Sequence, residues 1–134
     1  MYSISREFSF SYGHRLLNYE GKCKHLHGHN ARVRITLSTN TLNEKGMVLD
    51  FSSLKTMMGT WIEDHLDHRM ILQKEDTLAD LLIGSGDPVL LVEENPTAEF
   101  LARLICDQGK EFGLNIQKVE FWETEKCCAI YFNE

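Results

Sequence analysis

No apolar run in this chain approaches the roughly 18–20 residues that a helix needs to cross a bilayer. The N-terminus alternates polar and apolar residues where a secretory leader would be continuously apolar. No membrane association is expected, and the expected location is the cytoplasm. Cysteine is sparse. Cys23, Cys106, Cys127 and Cys128 form no disulfide framework, and the adjacent Cys127 and Cys128 are poor partners for each other, so reduced thiols are expected. Positive charge is in the minority, with 14 Lys and Arg against 20 Asp and Glu and a net charge of −6. That balance argues against nucleic acid as a partner. Repeats and linker-like stretches are absent too. At 134 residues, 43% of them hydrophobic, the chain reads as one domain, residues 1–134, with material for a single core.

What is present is concentrated. The stretch Cys23-Lys24-His25-Leu26-His27-Gly28-His29 holds three of the six histidines, a density that suits a metal site. From Ala31 the pattern alternates, with Ala31, Val33, Ile35 and Leu37 apolar and Asn30, Arg32, Arg34 and Thr36 polar, which predicts a strand with one buried face. Side chains two apart share a face, so His27 and His29 point with Val33 and Ile35 and could bind one ion. Gly28 between them is expected to let the backbone bend or approach a neighbour closely. Residues 2–14 alternate as well. Tyr2, Ile4, Phe8, Phe10 and Tyr12 take even positions, Ser3, Ser5, Glu7, Ser9 and Ser11 odd ones, and only Arg6 breaks the pattern. The same parity puts His14 on the apolar side. If the two strands pair, three histidines converge. A lone histidine of this kind is usually a satisfied core residue, but three that agree in parity point to a metal. His25 shares the parity and is read as loop.

Arg15, Lys22, Lys24, Arg32 and Arg34 surround the histidines with only Glu20 opposing them. They are either a basic patch for a small anionic ligand or ordinary solvated charges. Asn43–Gly46 reads as a turn and Met47–Leu49 as an extended segment. Asp50 or Ser52 then caps a helix that carries Leu54, Met57, Met58, Trp61 and Ile62 at helical spacing. It ends in His65-Leu66-Asp67-His68-Arg69, where a carboxylate beside an imidazole either handles a proton or merely marks a helix end. Residues 73–92 carry little pattern beyond a Gly84–Pro88 loop and Val89–Val92, a short extended or packing segment. Asn95-Pro96-Thr97 opens a second helix with Leu101, Leu104, Ile105 and Phe112, stopped by Gly113. In Val119–Thr124, Glu123 falls on the apolar face with Val119 and Phe121. That is costly for a carboxylate unless a donor meets it or the strand has reached water. Cys128–Phe132 is the last strand. The order ββααββ predicts an α+β fold, a four-stranded antiparallel sheet with two helices on one face, whose open edges invite assembly.

Three neutral histidines would leave the fourth position of a tetrahedral zinc open, the catalytic arrangement; Cys23 as fourth ligand would close it into a structural site. A Cys23 that stands off could act as base or nucleophile, its thiolate favoured by Lys22, Lys24 and the metal. Spacing alone leaves both versions open.

In order and combination, Phe10–Leu16 around His14, Cys23–His29, Gly46–Phe51, Leu66-Asp67-His68, Glu94–Glu99 and Trp122-Glu123-Thr124 resemble the 6-pyruvoyltetrahydropterin synthase and 6-carboxytetrahydropterin synthase family, of the tunnelling fold (T-fold). The resemblance covers most of the chain. It implies Zn2+ on His14, His27 and His29, Cys23 as catalytic base, and Asp67 and His68 as its proton-relay partners. It implies that Glu123, with Thr124 beside it, binds the pterin, the two carboxylate oxygens meeting the N–H pair of the guanidine-like edge. Zinc would hold the substrate's side-chain hydroxyls, and the patch around Arg15, Lys22 and Lys24 would meet a triphosphate. Homo-oligomers are implied too, trimers closing a barrel and paired into hexamers, with sites between subunits. Three residues separate Cys23 from His27, a gap that resembles the queuosine-pathway enzymes. Biopterin-pathway enzymes have two more, and a third branch replaces the cysteine with glutamate. The resemblance thus implies a lyase converting 7,8-dihydroneopterin triphosphate to 6-carboxy-5,6,7,8-tetrahydropterin, with release of triphosphate and acetaldehyde. The alternatives are 6-pyruvoyltetrahydropterin synthase, acting on the same substrate, and a non-catalytic zinc-stabilised assembly protein with Cys23 as fourth ligand. Residues 72–92 form a longer link than compact queuosine-pathway members have, which would reshape the pocket beside the relay pair.

Overall fold

A computed structural model describes residues 1–134 of the chain. The two alternating stretches form long strands, β1 (Tyr2–His14) and β2 (His27–Thr39). They pair antiparallel from Tyr2↔Thr39 to His14↔His27. Alternation does what it predicts: Phe10 and Tyr12 of β1 and Ala31, Val33, Ile35 and Leu37 of β2 are all buried. On the far side of β2 lies β5 (Ile116–Thr124), and β6 (Cys127–Phe132) closes that end, both antiparallel to their neighbours.

The sheet has six strands rather than the expected four, and it is mixed rather than antiparallel. β3 (Arg69–Gln73) lies parallel to β1 and β4 (Val89–Val92) parallel to β3, giving the order β4-β3-β1-β2-β5-β6. The element order is β-β-α-β-α-β-α-β-β instead of ββααββ. The reason lies in the two added strands. Met70-Ile71-Leu72 and Val89-Leu90-Leu91-Val92 are unbroken apolar runs, too short to show a period. Adjacent Ile71 and Leu72 are both fully buried, so no polar face alternates with an apolar one. Gly13 makes room for this extension. A Cβ there would run into Met70 and stand 3.3 Å from the His27 carbonyl oxygen. The close approach expected at Gly28 therefore falls at Gly13, since a Cβ at position 28 would meet only the Tyr12 carbonyl oxygen at an ordinary 3.4 Å.

Phe51–Leu54, Lys55–Gly59 and Thr60–His65 run on as one helix with a π turn in the middle. Asp50 caps it, its carboxylate accepting the Ser52 N–H at 2.8 Å. Leu54, Met58 and Ile62 are buried in the same core as the sheet's apolar face, with Met57 and Trp61 packed at its margin. Thr97 caps the Ala98–Glu111 helix, its hydroxyl accepting the Phe100 N–H at 3.1 Å. Pro96 stands one residue outside that cap rather than in the first turn. Leu101 and Ile105 are buried, whereas Phe112 remains 39% exposed. Gly113, at φ +82, ends the helix. Met47–Leu49 forms no strand.

The basic patch is dispersed by the fold. Arg32 and Arg34 lie on the other face of the sheet, their guanidinium groups over the Trp122 ring at 4.0 and 5.2 Å, and Glu7 accepts from Arg34 at 2.7 Å. Arg15 is bidentate on Asp76, with Nε to Oδ2 at 2.8 Å and Nη2 on Oδ1. The Asp76 carboxylate is fully buried and also accepts the Leu78 N–H at 2.9 Å, at the start of the short Leu78–Gly84 helix. A buried carboxylate needs a paired cation, so Arg15 is committed to holding residues 72–92 against the end of β1. Arg15 is thus an ion-paired residue and not the free cation of the expected patch.

The Arg15 guanidinium, with lesser help from the Leu78 N–H, holds the Asp76 carboxyl below its ordinary range against the opposing effect of burial. A depressed folded value contributes stability above the unfolded carboxyl pKa, and that stability is lost as pH falls through the folded value. Arg15→Ala should therefore destabilise the protein by about 3 kcal/mol at neutral pH, and the deficit should shrink below about pH 4. Urea unfolding at several pH values checks this; equal midpoints at neutral pH would show the pair to be inert.

Candidate metal centre and its surroundings

The β1–β2 register sets His14 opposite His27 and Tyr12 opposite His29. In consequence the ligand atoms of His14, His27 and His29 all lie within 4.8 Å of one another. Two of the rings are held from behind: His14 Nδ1 is 2.7 Å from the Pro96 carbonyl oxygen, and His27 Nδ1 is 2.7 Å from that of His25. A carbonyl only accepts, so each Nδ1 carries the proton and each neutral ring turns an Nε2 lone pair to the centre. Burial pushes His14 down to about 4, against the raising effect of the Pro96 bond, and burial lowers His29 too. Neutral imidazole is the form a metal requires.

The Nε2 atoms of His14 and His27 face each other across 3.0 Å. Two facing lone pairs repel unless a cation bridges them. Two metal–nitrogen bonds of about 2.0–2.1 Å at a tetrahedral angle would place their nitrogens about 3.3 Å apart. His29 Nε2 is buried without a hydrogen-bond partner. One divalent ion would satisfy all three nitrogens, so the residues fit a metal.

Glu123 lies on the same face, two residues beyond the buried Phe121. Its oxygens stand 4.0 Å from His14 Nε2 and 3.9 Å from His29 Nε2, and its side chain is 25% exposed. Those two rings are its only ionic neighbours within 4.0 Å, so no Lys or Arg holds it in a structural ion pair. Thr124, next in β5, is exposed, and its hydroxyl accepts from the Lys126 N–H at 3.4 Å in the turn to β6.

Cys23 sits in the short 3-10 turn Lys22–Lys24, partly exposed. Its carbonyl accepts the Leu16 N–H at 2.9 Å, which ties the turn to the residues after His14. The three-residue cluster does not include its sulfur. Asp67 and His68 form a real pair, Oδ1 to Nδ1 at 3.0 Å. Asp67 accepts the Ser11 N–H at 3.0 Å, and the His68 N–H donates to the Ser11 carbonyl at 2.7 Å. His68 takes a left-handed φ of +58 and leaves its side chain 80% exposed. It lines a cleft of about 470 Å³ with Tyr12, Gly13, His29 and Asn30, to which the 72–92 segment adds Leu82, Asp87 and Pro88. Cys23 does not line this cleft.

Two residues at the site are read in the sequence only as a helix start and a core position. Asn95 joins both backbone groups of Leu17, Nδ2 to the carbonyl at 2.8 Å and Oδ1 to the N–H at 2.9 Å, which fixes the Pro96 carbonyl behind His14. Tyr12 packs its ring 5.1 Å from that of His14 and 5.6 Å from that of His29, with its hydroxyl buried and unpartnered. Burial first, then the nearby Glu123 and Cys23, pushes that phenol well above its ordinary pKa. The available signal was a phenol in a row of core positions, since a buried tyrosine hydroxyl usually has a partner.

A family model described as 6-pyruvoyl tetrahydropterin synthase matches residues 3–134. Proteins named 6-carboxy-5,6,7,8-tetrahydropterin synthase from Synechocystis and Haemophilus influenzae are each 36% identical to the chain. The alignment covers 99% of this chain and 95% of the first protein, and 92% and 94% for the second. The solved structure of Caenorhabditis elegans 6-pyruvoyl tetrahydropterin synthase matches with a TM-score of 0.74 at 25% identity, covering 99% of this chain and 96% of that one.

Replacing His14, His27 or His29 singly with Ala should abolish stoichiometric metal binding, measured by elemental analysis after dialysis, while His25→Ala should keep it. Full metal content in His14→Ala would contradict this ligand set.

Proposed function

The chain belongs to the 6-pyruvoyl tetrahydropterin synthase family, and from that premise we propose that it is a zinc-dependent 6-carboxytetrahydropterin synthase working as one pterin-synthase-like domain in the cytoplasm. On this reading it takes 7,8-dihydroneopterin triphosphate to 6-carboxy-5,6,7,8-tetrahydropterin, with release of triphosphate and acetaldehyde. The observation that carries the reading is an open three-histidine cluster with the Glu123 carboxylate 3.9–4.0 Å from two of its nitrogens.

Zinc held by His14, His27 and His29 would supply the Lewis acid that binds and acidifies the substrate's side-chain hydroxyls. Glu123 accepts the N–H pair of the pterin's guanidine-like edge and fixes the ring, with Thr124 at the rim beside it. Cys23, outside the cluster and flanked by Lys22 and Lys24, takes a proton from the substrate side chain as thiolate. With Arg15 committed to Asp76, the triphosphate falls to Lys22 and Lys24. Asp67 and His68 relay the proton. Because His68 faces outward and Cys23 lies off its cleft, the relay pair of one copy serves the cysteine of another. Such a site requires a homo-oligomer, a trimer or a dimer of trimers, and the unpaired edges of β4 and β6 support one.

The pyruvoyl-forming synthase is the second reading. The three-residue gap between Cys23 and His27 and the names of the 36%-identical relatives favour the first. Incubation with 7,8-dihydroneopterin triphosphate and mass spectrometry of the products should give 6-carboxytetrahydropterin with acetaldehyde. A 6-pyruvoyl product would favour the second reading, and no product would count against both.

Cys23→Ala should keep metal, fold and assembly and lose turnover by about 10²–10⁴-fold. Loss of metal in this variant would instead make the sulfur a ligand. Glu123→Gln should weaken pterin binding roughly 10- to 100-fold, because the amide sets a donor against a donor where the carboxylate made charge-assisted bonds. Metal content should hold, and the ligand-free melting temperature should stay level or rise. Loss of the metal in Glu123→Gln would make that carboxylate a fourth ligand.

A further inference from the structure

Tyr12 borders the metal centre and has no part in the mechanism above. It is 3% exposed. Its ring packs against Phe10 at 5.5 Å and Phe121 at 5.9 Å as well as against the two histidines. Phenylalanine would fill that space equally well with no polar atom to desolvate. The hydroxyl is present all the same, buried and without a hydrogen bond of full geometry, and, after burial itself, the Glu123 carboxylate close by raises its pKa by charge and by hydrogen bonding. The ring of His29, whose Nε2 is also unpartnered, packs 5.6 Å from the Tyr12 ring. A buried donor in the wall of a candidate ligand site calls for an explanation, and an acceptor on the ligand supplies one.

The chemistry of a pterin says which atom it suits. Glu123 is read as receiving the 2-amino and N3–H donors of the ring. In a 2-amino-4-oxopteridine that donor pair is flanked on one side by the 4-carbonyl oxygen and on the other by N1, both acceptors. A donor standing next to the carboxylate therefore meets an acceptor whichever way the edge is turned. Glu123 is partly exposed and no Lys or Arg restrains it, so it is free to adjust to an arriving ring.

We propose that Tyr12 is a specificity-determining substrate-binding residue, whose hydroxyl donates a hydrogen bond to the acceptor flanking the guanidine-like edge of a 2-amino-4-oxopteridine held by Glu123. This rests on the reading of Glu123 given above. Recognition of the ring then alternates in sign along its edge, acceptor from the carboxylate and donor from the phenol. Such a site rejects pteridines whose edge has another donor and acceptor order, because buried groups are left unpaired.

The test is Tyr12→Phe, which removes one oxygen and keeps the ring. The zinc-loaded protein is titrated by fluorescence with unsubstituted pterin, which lacks a side chain, and with neopterin, which has one; Glu123→Gln is run in parallel. Tyr12→Phe should bind both probes about 5- to 30-fold more weakly, with zinc content unchanged and the ligand-free melting temperature level or raised. Unchanged affinity for pterin, beside a weakened Glu123→Gln, would overturn the inference and leave the Glu123 reading standing. A loss confined to neopterin would overturn it as well, by assigning the hydroxyl to the substrate side chain. Loss of zinc or a falling melting temperature would make the phenol structural. If Glu123→Gln binds pterin as well as the unmutated protein does, the reading beneath fails and this inference with it.

Discussion

The antiparallel ladder that sets Tyr12 against His29 and His14 against His27 joins two strands and also builds the centre. Directly opposed side chains in such a pair are close neighbours on one face, so imidazoles from two stretches of chain meet without any loop having to deliver them. A slip of one residue would turn every side chain of one strand to the other face and scatter the three nitrogens. The same register buries Phe10, Tyr12, Ala31, Val33, Ile35 and Leu37, so the hydrophobic effect that holds the strands together also holds the ligands. Stability and metal geometry are one constraint here.

Around that ladder the backbone performs the orienting work. The Pro96 carbonyl fixes the His14 ring and the His25 carbonyl that of His27, and Asn95 secures the first by bonding both backbone groups of Leu17. Adjacent residues of a strand point to opposite faces. Asp67 and His68 bond to the backbone of Ser11, and the cleft that His68 lines reaches Tyr12 and His29 of the metal-bearing face as well as Gly13, Gly28 and Asn30. The end of β1 thus carries a metal cluster with a proton-handling pair anchored beside it at Ser11. On the proposed reading one chain is not a whole active site because Cys23 lies off the cleft that His68 lines: each copy offers a relay to a neighbour while borrowing another's.

Parity made much of this legible. Alternation over 2–14 and 27–39 gave the two long strands and the convergence of three histidines, because one buried face leaves a period-2 signature. Asp50, Thr97 and Gly113 marked helix ends through short-range hydrogen bonding and a left-handed φ, both local effects. What stayed hidden was set by tertiary neighbours. β3 and β4 are apolar on both sides and show no period. Arg15 looked like a free cation because its partner, Asp76, lies 61 positions away. Tyr12 looked like core, and its ring is core; only the position of one oxygen relative to Glu123 separates a packing residue from a ligand contact. Asp67 beside His68 could be read as a pair, but not the face to which their attachment at Ser11 turns them.

The central claim is that His14, His27 and His29 make a centre with an open position and that Cys23 stands apart from it. X-ray absorption at the zinc edge of the substrate-free, zinc-loaded protein tests it directly. The account predicts three imidazole nitrogens and one light oxygen or nitrogen donor at about 2.0–2.1 Å, with imidazole outer-shell scattering and no sulfur shell. A sulfur at about 2.3 Å beside three nitrogens would mean that Cys23 closes the site, and the enzyme described here would instead be a protein built around a structural zinc.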